Sequence, residues 1–246
     1  MRVAITGATG HLGHAMVGYL SRRNVDVFLV GHRISDLMRA DVVFHLAAPD
    51  HRDHDAIAAF TSFNEDLRAW SDKHSVPVIN TATWWQHAGE DAEALPYTRI
   101  KAAQQELFSD HTTLTLYSVY GETARSARGF IPQLIRHLCG HQQITAASIE
   151  QRDWIHMQDV CRAFLAAQHA PVGAYDVATY LKLSPMALAM IFTDDPMATW
   201  PDEPSAHCHY PNSRLPGWRA EIAVTQYIAE ALRQEEAWQS PMAIAR

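Results

Sequence analysis

Val3-Ala4-Ile5-Thr6-Gly7-Ala8-Thr9-Gly10-His11-Leu12-Gly13 opens the chain almost at its first residue. Val3 to Thr6 is a short apolar run rich in β-branched residues, which reads as a buried strand. Glycines follow at 7, 10 and 13, and a helical apolar pattern then runs from about His11 to Arg23. A strand that breaks at glycines and restarts as a helix presents the free N–H groups and positive dipole end of that helix at the turn. Such a turn suits a pyrophosphate. Gly7 and Gly10 allow the tight bend and the close approach, and Gly13 lets the helix pack closely on the sheet. The candidate cradle is therefore Gly7, Thr9, Gly10, His11, Leu12 and Gly13. The alternative is an ordinary glycine-rich βα turn.

Working outward, strand and helix patterns alternate. Strands are expected over Val25–Val30, Asp41–Leu46, Val76–Thr81 and Thr112–Tyr117, with helices over about Thr61–His74 and Pro96–Phe108. Alternation of this kind implies a parallel sheet covered by helices, an α/β doubly wound fold. The texture changes after Tyr120-Gly121. Helices are expected near Ile131–Cys139 and Asp159–His169, short strands at Ile144 and Ala174–Val177, and a final amphipathic helix over about Ile222–Trp238. The Pro-, Asp- and Ser-rich stretch Thr193–Pro216 reads mostly as loop. We therefore expect a dinucleotide-binding part, 1–120, and a second part, 121–246, of which about 151–178 returns to the sheet.

Composition excludes several classes. The 246 residues are 48% hydrophobic, which fits a packed globular chain. A net charge of -7 gives no basic face for nucleic acid; Arg125, Arg128 and Arg136 form at most a local patch. No uncharged apolar stretch of about 18 residues suggests a membrane span. The first strand pattern begins too early to leave room for a leader peptide. The three cysteines, Cys139, Cys161 and Cys208, are odd in number and widely spaced. They read as reduced thiols, so a cytoplasmic location is expected. His51, Asp53, His54 and Asp55 cluster, as do His207, Cys208 and His209, but neither has the paired spacing of a structural zinc site. No metal is expected.

Chemistry centres on Tyr97-Thr98-Arg99-Ile100-Lys101. On a helix, positions i and i+4 share a face, and Pro96 suits a first helical turn. Interconverting an alcohol and a ketone by hydride transfer requires a proton at the oxygen. A tyrosine can exchange it if a nearby ammonium favours the phenolate. A hydroxyl to position the oxygen should stand on the preceding strand, where Val78-Ile79-Asn80-Thr81-Ala82-Thr83-Trp84-Trp85 carries Thr81 and Thr83.

The opening Thr-Gly-Ala-Thr-Gly-x-Leu-Gly, the Tyr97/Lys101 pair and the Thr-bearing strand resemble those of the extended short-chain dehydrogenase/reductases. The closest type is the NAD(P)-dependent epimerase/dehydratase that modifies nucleotide sugars. The resemblance implies a Rossmann-like sheet with a small C-terminal substrate lobe. It implies Tyr97 as acid/base, Lys101 as its electrostatic partner and a ribose contact, and Thr81 as the positioning hydroxyl. Thr81 comes from setting Trp84-Trp85 against the family's Val-Tyr; Thr83 is the fallback and a substrate contact. His45-Leu46-Ala47-Ala48 matches the run over which the nicotinamide half lies, giving Leu46, Ala47 and Ala48 as cofactor contacts. Asn64 stands where relatives carry a structural Asn. Leu116 to Gly121 resembles the turn toward substrate, with Ser118 where Asn is common. Gln151 to Val160 matches the segment whose arginine, here Arg152, contacts a substrate diphosphate; the alternative is an ion pair of Arg152 with Asp153 or Asp159. Asn212 to Trp218 resembles the family's C-terminal segment.

Two departures bear on the cofactor. Val30-Gly31-His32-Arg33 ends the second strand without a carboxylate for a ribose 2′-hydroxyl, and Arg33 can pair with a 2′-phosphate. NADP is therefore preferred over NAD. Few residues separate Arg33 from Asp41, so one edge strand and one helix of the family's sheet are expected to be missing, with Asp36-Leu37 as a remnant. The resemblance also implies a homodimer through the helices at Thr61 and Pro96. Three readings follow. The first is an oxidoreductase or epimerase acting on a nucleotide-activated sugar. The second is a reductase of a non-nucleotide ketone or aldehyde, and the third a non-catalytic dinucleotide-binding regulator or scaffold.

Overall fold

The computed structural model describes residues 1–31, 34, 37, 40–87, 95–121, 129–144, 146–194, 198–199 and 213–239. Arg33, Asp36, Arg125, Arg128, His207, Cys208, His209 and Asn212 lie outside the described residues.

A six-stranded parallel sheet forms the centre. Its strands are β1 (Arg2–Thr6), β2 (Asp26–Val30), β3 (Val42–His45), β4 (Val78–Thr83), β5 (Thr112–Leu116) and β9 (Ala174–Val177), in the order β2-β1-β3-β4-β5-β9. β1 reads as an unbroken apolar run because it is paired on both sides and covered on both faces: Val3 aligns with Val27 and Val42, and Val3, Ala4 and Ile5 are fully buried. Side chains alternate between faces. Val3, Ile5 and Phe44 point to one core, shared with Met16 and Leu20 of α1 (His11–Ser21) and Phe164 of α5 (Met157–Ala167). The Phe44 and Phe164 rings lie 5.1 Å apart. Ala4, Val43 and Val78 point to the other core, with Phe108 and with Leu67 of α2 (His54–His74). Truncating Phe44 to Ala would cost about 3–5 kcal/mol.

β2 ends the sheet on its side. The sheet is therefore narrower there, as the short stretch after Val30 implied: among the described residues, Ile34, Leu37 and Ala40 pack under the edge and no further strand adds to it. α2 begins earlier than its apolar pattern suggested. Asp53 accepts hydrogen bonds from the Asp55 and Ala56 N–H groups, so the His51–Asp55 cluster contains a helix cap. α3 (Pro96–Leu107) opens with proline in its first turn.

After β5 the chain leaves the main sheet. β6 (Ser118–Tyr120), β8 (Arg152–His156) and β10 (Lys182–Leu183) form a second sheet in the order β10-β8-β6. β7 (Ala146–Ala147) pairs with β11 (Ala198–Thr199), so the strand expected at Ile144 lies slightly later. α4 (Phe130–Leu138), α6 (Pro185–Met190) and α7 (Val224–Gln239) close around a separate apolar cluster that includes Ile131, Leu134, Trp154, Leu188 and Ile228. Asp159, fully buried on α5, accepts from the Glu221 and Ile222 N–H groups and pairs with Arg162, tying the approach to α7 onto the sheet layer. None of the described helices is long and apolar enough to cross a membrane.

Candidate active site

All six main strands run the same way, so their C-terminal ends meet at one edge. Ligands of open α/β sheets bind at such an edge, where the strand order reverses. Here that point lies between β1 and β3. Gly7 adopts φ +69°, and a β-carbon on it would stand 2.6 Å from Ala47 Cα, so the cradle and the Leu46–Ala48 segment touch. A β-carbon on Gly13 would stand 2.0 Å from the Gly7 carbonyl oxygen and 2.7 Å from Ala8 Cα. The Gly7–Ala8 turn thus rests directly on the helix. Gly10 is the N-cap of α1; no side chain caps this end, and no acidic residue lies in its first turn. A tight glycine turn leading into an uncapped helix N-terminus fits a dinucleotide pyrophosphate.

Below this turn, a hydrogen-bond cluster joins the ends of β1 and β3. The Thr6 hydroxyl lies 2.6 Å from His45 Nδ1, and the Thr6 oxygen accepts from the Leu46 and Ala47 N–H groups at 3.2 Å. His45 Nε2 lies 2.9 Å from Asn64 Oδ1. With Nε2–H donating to Asn64, Nδ1 accepts from Thr6, which is the neutral imidazole. Burial, then the charge of Lys101, holds His45 down at about 3. Asn64 therefore positions His45, and through Thr6 the Leu46–Ala48 segment.

Lys101 is buried on α3, and its Nζ donates to Thr81 Oγ1 at 2.7 Å and to Gln104 Oε1 at 2.8 Å. Burial lowers its pKa to about 7. The Thr81 hydroxyl also approaches the His45 carbonyl at 3.4 Å, long for an O–H donor. The structure thus brings Thr81 and Lys101 together. Tyr97, half-buried one turn earlier on α3, bonds neither of them. Its ring stands edge-on to His51 at 6.3 Å, and burial raises its pKa rather than the ammonium lowering it. His51 faces the site, while His54 lies in the groove between α2 and α3.

Thr83, at the end of β4, is buried and aligned with Leu116 on β5; its N–H donates to Gln86 Oε1. Ser118 begins β6 and aligns with Trp154 on β8. Trp84 and Trp85 pack at 4.7 Å, and Trp84 stacks on Tyr117 at 6.5 Å. Arg152 pairs neither with Asp153 nor with Asp159. Asp153 accepts from Thr179 and Tyr180 and Asp159 holds the α7 approach, so Arg152 Nη2 donates instead to Glu150 Oε2 at 3.1 Å. Arg152 Nε is buried without a hydrogen-bond partner.

Three participants escaped the sequence reading: Asn80, Gln104 and Glu150. Gln104 lies seven residues after Tyr97 on the same helix face, a spacing that could have signalled it. Asn80 and Glu150 carried no comparable signal.

Residues 96–178, about a third of the chain, match the sequence model of the NAD dependent epimerase/dehydratase family. No curated protein matches by sequence. Solved structures match in fold across nearly the whole chain. The UDP-glucose 4-epimerase of Thermotoga maritima, solved with UDP-glucose, superposes with a TM-score of 0.76 at 18% identity, covering 98% of this chain and 100% of that one. The Bordetella bronchiseptica enzyme WbmG, with NAD and UDP, gives 0.74 at 17%, covering 96% and 94%. RMD from Pseudomonas aeruginosa, with NADPH, gives 0.70 at 16%, covering 96% and 100%. Residues 96–178, with Tyr97 and Lys101 at their start, thus match the NAD dependent epimerase/dehydratase family model, within a chain whose whole fold is similar to that of these solved structures.

Proposed function

We propose that this chain is an NAD(P)-dependent epimerase or oxidoreductase acting on a nucleotide-activated sugar. The observation that carries the reading is a buried Lys101 bonded to Thr81, one helical turn from Tyr97, at the sheet edge that also bears the glycine cradle. A nicotinamide dinucleotide bound here would supply and take back hydride. The cradle at Gly7, Thr9, Gly10, His11, Leu12 and Gly13 would hold the pyrophosphate, and Leu46, Ala47 and Ala48 would flank the nicotinamide half.

The remaining work falls to the chain's own residues. Tyr97, kept protonated by burial, gives its proton to a sugar oxygen as negative charge develops there. In the reverse direction the phenolate takes the proton back, a form that ionised Lys101 would favour once substrate and cofactor draw the two side chains together. Thr81 donates to the same oxygen and orients it. Thr83 and Ser118 would line the sugar site, and Arg152 would meet a diphosphate with its guanidinium fork. That the Thermotoga and Bordetella enzymes were solved with UDP-glucose and UDP supports this substrate class. NADP is preferred on Arg33 alone. A homodimer through the apolar groove between α2 and α3, lined by Ile57, Phe60, Ile100 and Leu107, and a cytoplasmic location belong to the same proposal.

Titration of the purified protein with NADPH and with NADH, followed by quenching of Trp fluorescence, tests the cradle. Turnover is then assayed on UDP-sugars. Absence of binding at millimolar concentration of either cofactor would sink the reading.

A second reading keeps the chemistry but takes a non-nucleotide ketone or aldehyde. It is favoured by the Glu150–Arg152 pair, whose carboxylate occupies the guanidinium a diphosphate would need. UDP binding separates the two. On the first reading wild type binds UDP and Arg152→Ala loses at least about tenfold. On the second, wild type ignores UDP, and only Glu150→Gln acquires affinity.

A further inference from the structure

Four buried side chains close a ring at the centre of the site. Asn80 is fully buried, and Thr81, Lys101 and Gln104 are 4%, 3% and 1% exposed. Asn80 Oδ1 accepts from the Thr81 N–H at 2.8 Å and from Gln104 Nε2 at 2.6 Å. Gln104 Oε1 accepts from Lys101 Nζ, which also donates to Thr81 Oγ1. The ring thus leaves Thr81 by its backbone and returns by its hydroxyl.

Its direction is set at one point. The Thr81 N–H can only donate, so Asn80 must turn its oxygen toward it. Flipping the Asn80 amide would oppose two donors. The cost accepted for this orientation is Asn80 Nδ2, buried without a partner. With Asn80 fixed, Gln104 must present Nε2 to Asn80 and Oε1 to Lys101. Lys101 therefore faces two oxygens and donates to both. Thr81 Oγ1, already accepting from Lys101, keeps its own proton to give; that proton has only the 3.4 Å contact with the His45 carbonyl. A substrate oxygen at normal distance would displace it.

The geometry points to Asn80 and Gln104 as a positioning pair that fixes the hydrogen-bond direction at Lys101 and so presents Thr81 as a donor to substrate. This rests on the reading that Tyr97, Lys101 and Thr81 perform the chemistry. Among titratable groups around Lys101, His45 approaches from β3 and is held neutral, and Tyr97 lies on the same helix. From β4 come only the neutral Asn80 and Thr81. Among the described residues no carboxylate bonds Nζ, so the two amides set its surroundings.

The chain has three lysines, Lys73, Lys101 and Lys182. Labelling with [ε-13C]lysine gives three titration curves by NMR, with Lys101 assigned by eliminating the others in Lys73→Arg and Lys182→Arg. Asn80 does not touch Lys101, yet Asn80→Leu removes the acceptor that anchors Gln104 Nε2, so Gln104 Oε1 is no longer held against the ammonium. We expect the Lys101 midpoint to fall by more than about half a pH unit. Asn80→Asp keeps both accepted bonds and should not lower it. Gln104→Glu, nearly isosteric, should raise it by more than about one unit, and decides the matter alone if Asn80→Leu does not fold. Midpoints within about 0.3 unit of wild type in every folded variant overturn the pair. The titration needs no turnover. Predicted shifts without activity on any substrate would sink the functional reading and leave the pair; activity with unshifted midpoints would sink the pair alone.

Discussion

Replacing Gly13 with alanine puts a methyl group where backbone already stands. The new carbon would lie 2.0 Å from the Gly7 carbonyl oxygen and 2.7 Å from Ala8 Cα. A relaxed carbon–oxygen contact needs about 3.3 Å, so the turn and the helix must separate by more than about 1 Å. Both obstacles are backbone, and no flexible side-chain end can yield. We therefore take the upper end of overpacking costs, about 3 kcal/mol. For a chain of this size that lowers Tm by roughly 6–12 °C. The separation also opens the cradle, and NADPH affinity should fall, by up to about 100-fold if the full 3 kcal/mol is lost from binding. Gly18, on the same helix, is the control. Its β-carbon would meet only the end of Arg22, at 3.5 Å. Gly18→Ala should gain about 0.5–1 kcal/mol from the stiffer helix backbone. Thermal unfolding and fluorescence titration with NADPH read both variants. The reasoning is refuted if Gly13→Ala melts within about 2 °C of wild type and binds NADPH within about threefold.

Tyr97→Phe should lower turnover by at least about 100-fold while NADPH affinity stays within about threefold; lost cofactor binding in that variant would contradict its role. His45 is held neutral at about 3, so its contribution to stability is present above the ordinary histidine range and is lost as pH falls from about 6.5. The unfolded chain takes up the proton that the folded one refuses. Urea unfolding should weaken by about 1.4 kcal/mol per pH unit on this account between pH 6 and 4, with His156, lowered to about 4, acting in the same direction. A slope unchanged in His45→Gln would argue against it. Asp159→Ala leaves two backbone N–H groups without their acceptor and Arg162 with Glu221 as its remaining carboxylate, and should cost about 3 kcal/mol, a Tm loss of at least about 6 °C by calorimetry. A loss under about 2 °C would show that α7 is held by its apolar face alone.

Much of this molecule was legible in local spacing. The run from Val3 to Gly13 announced strand, turn and helix because each is set by neighbours within a few residues. Tyr97 and Lys101 could be paired because a helix fixes what i and i+4 share. The narrow sheet edge among the described residues was readable from chain length, since too few residues separate Arg33 from Asp41 to build a further strand and helix. Asp53 shows a local signal passed over: its spacing to Asp55 and Ala56 is that of a cap, within a cluster weighed only as a metal site.

Other features have no local signature. Arg152 had three carboxylates within reach in sequence, and only the fold committed Asp153 to Thr179 and Asp159 to Ile222, leaving Glu150. The ring through Asn80, Thr81, Lys101 and Gln104 joins residues 24 apart, from a strand and a helix that meet only in the folded chain. Sequence by itself offered the glycine turn, Thr81, Tyr97 and Lys101 as candidates, because hydrogen-bonded turns and helices are short-range objects, and it did not single out Asn80 or Gln104. Tertiary structure alone decided which way each of those groups donates. That direction depends on the one fixed backbone N–H that β4 brings against α3, and on burial that denies every other partner.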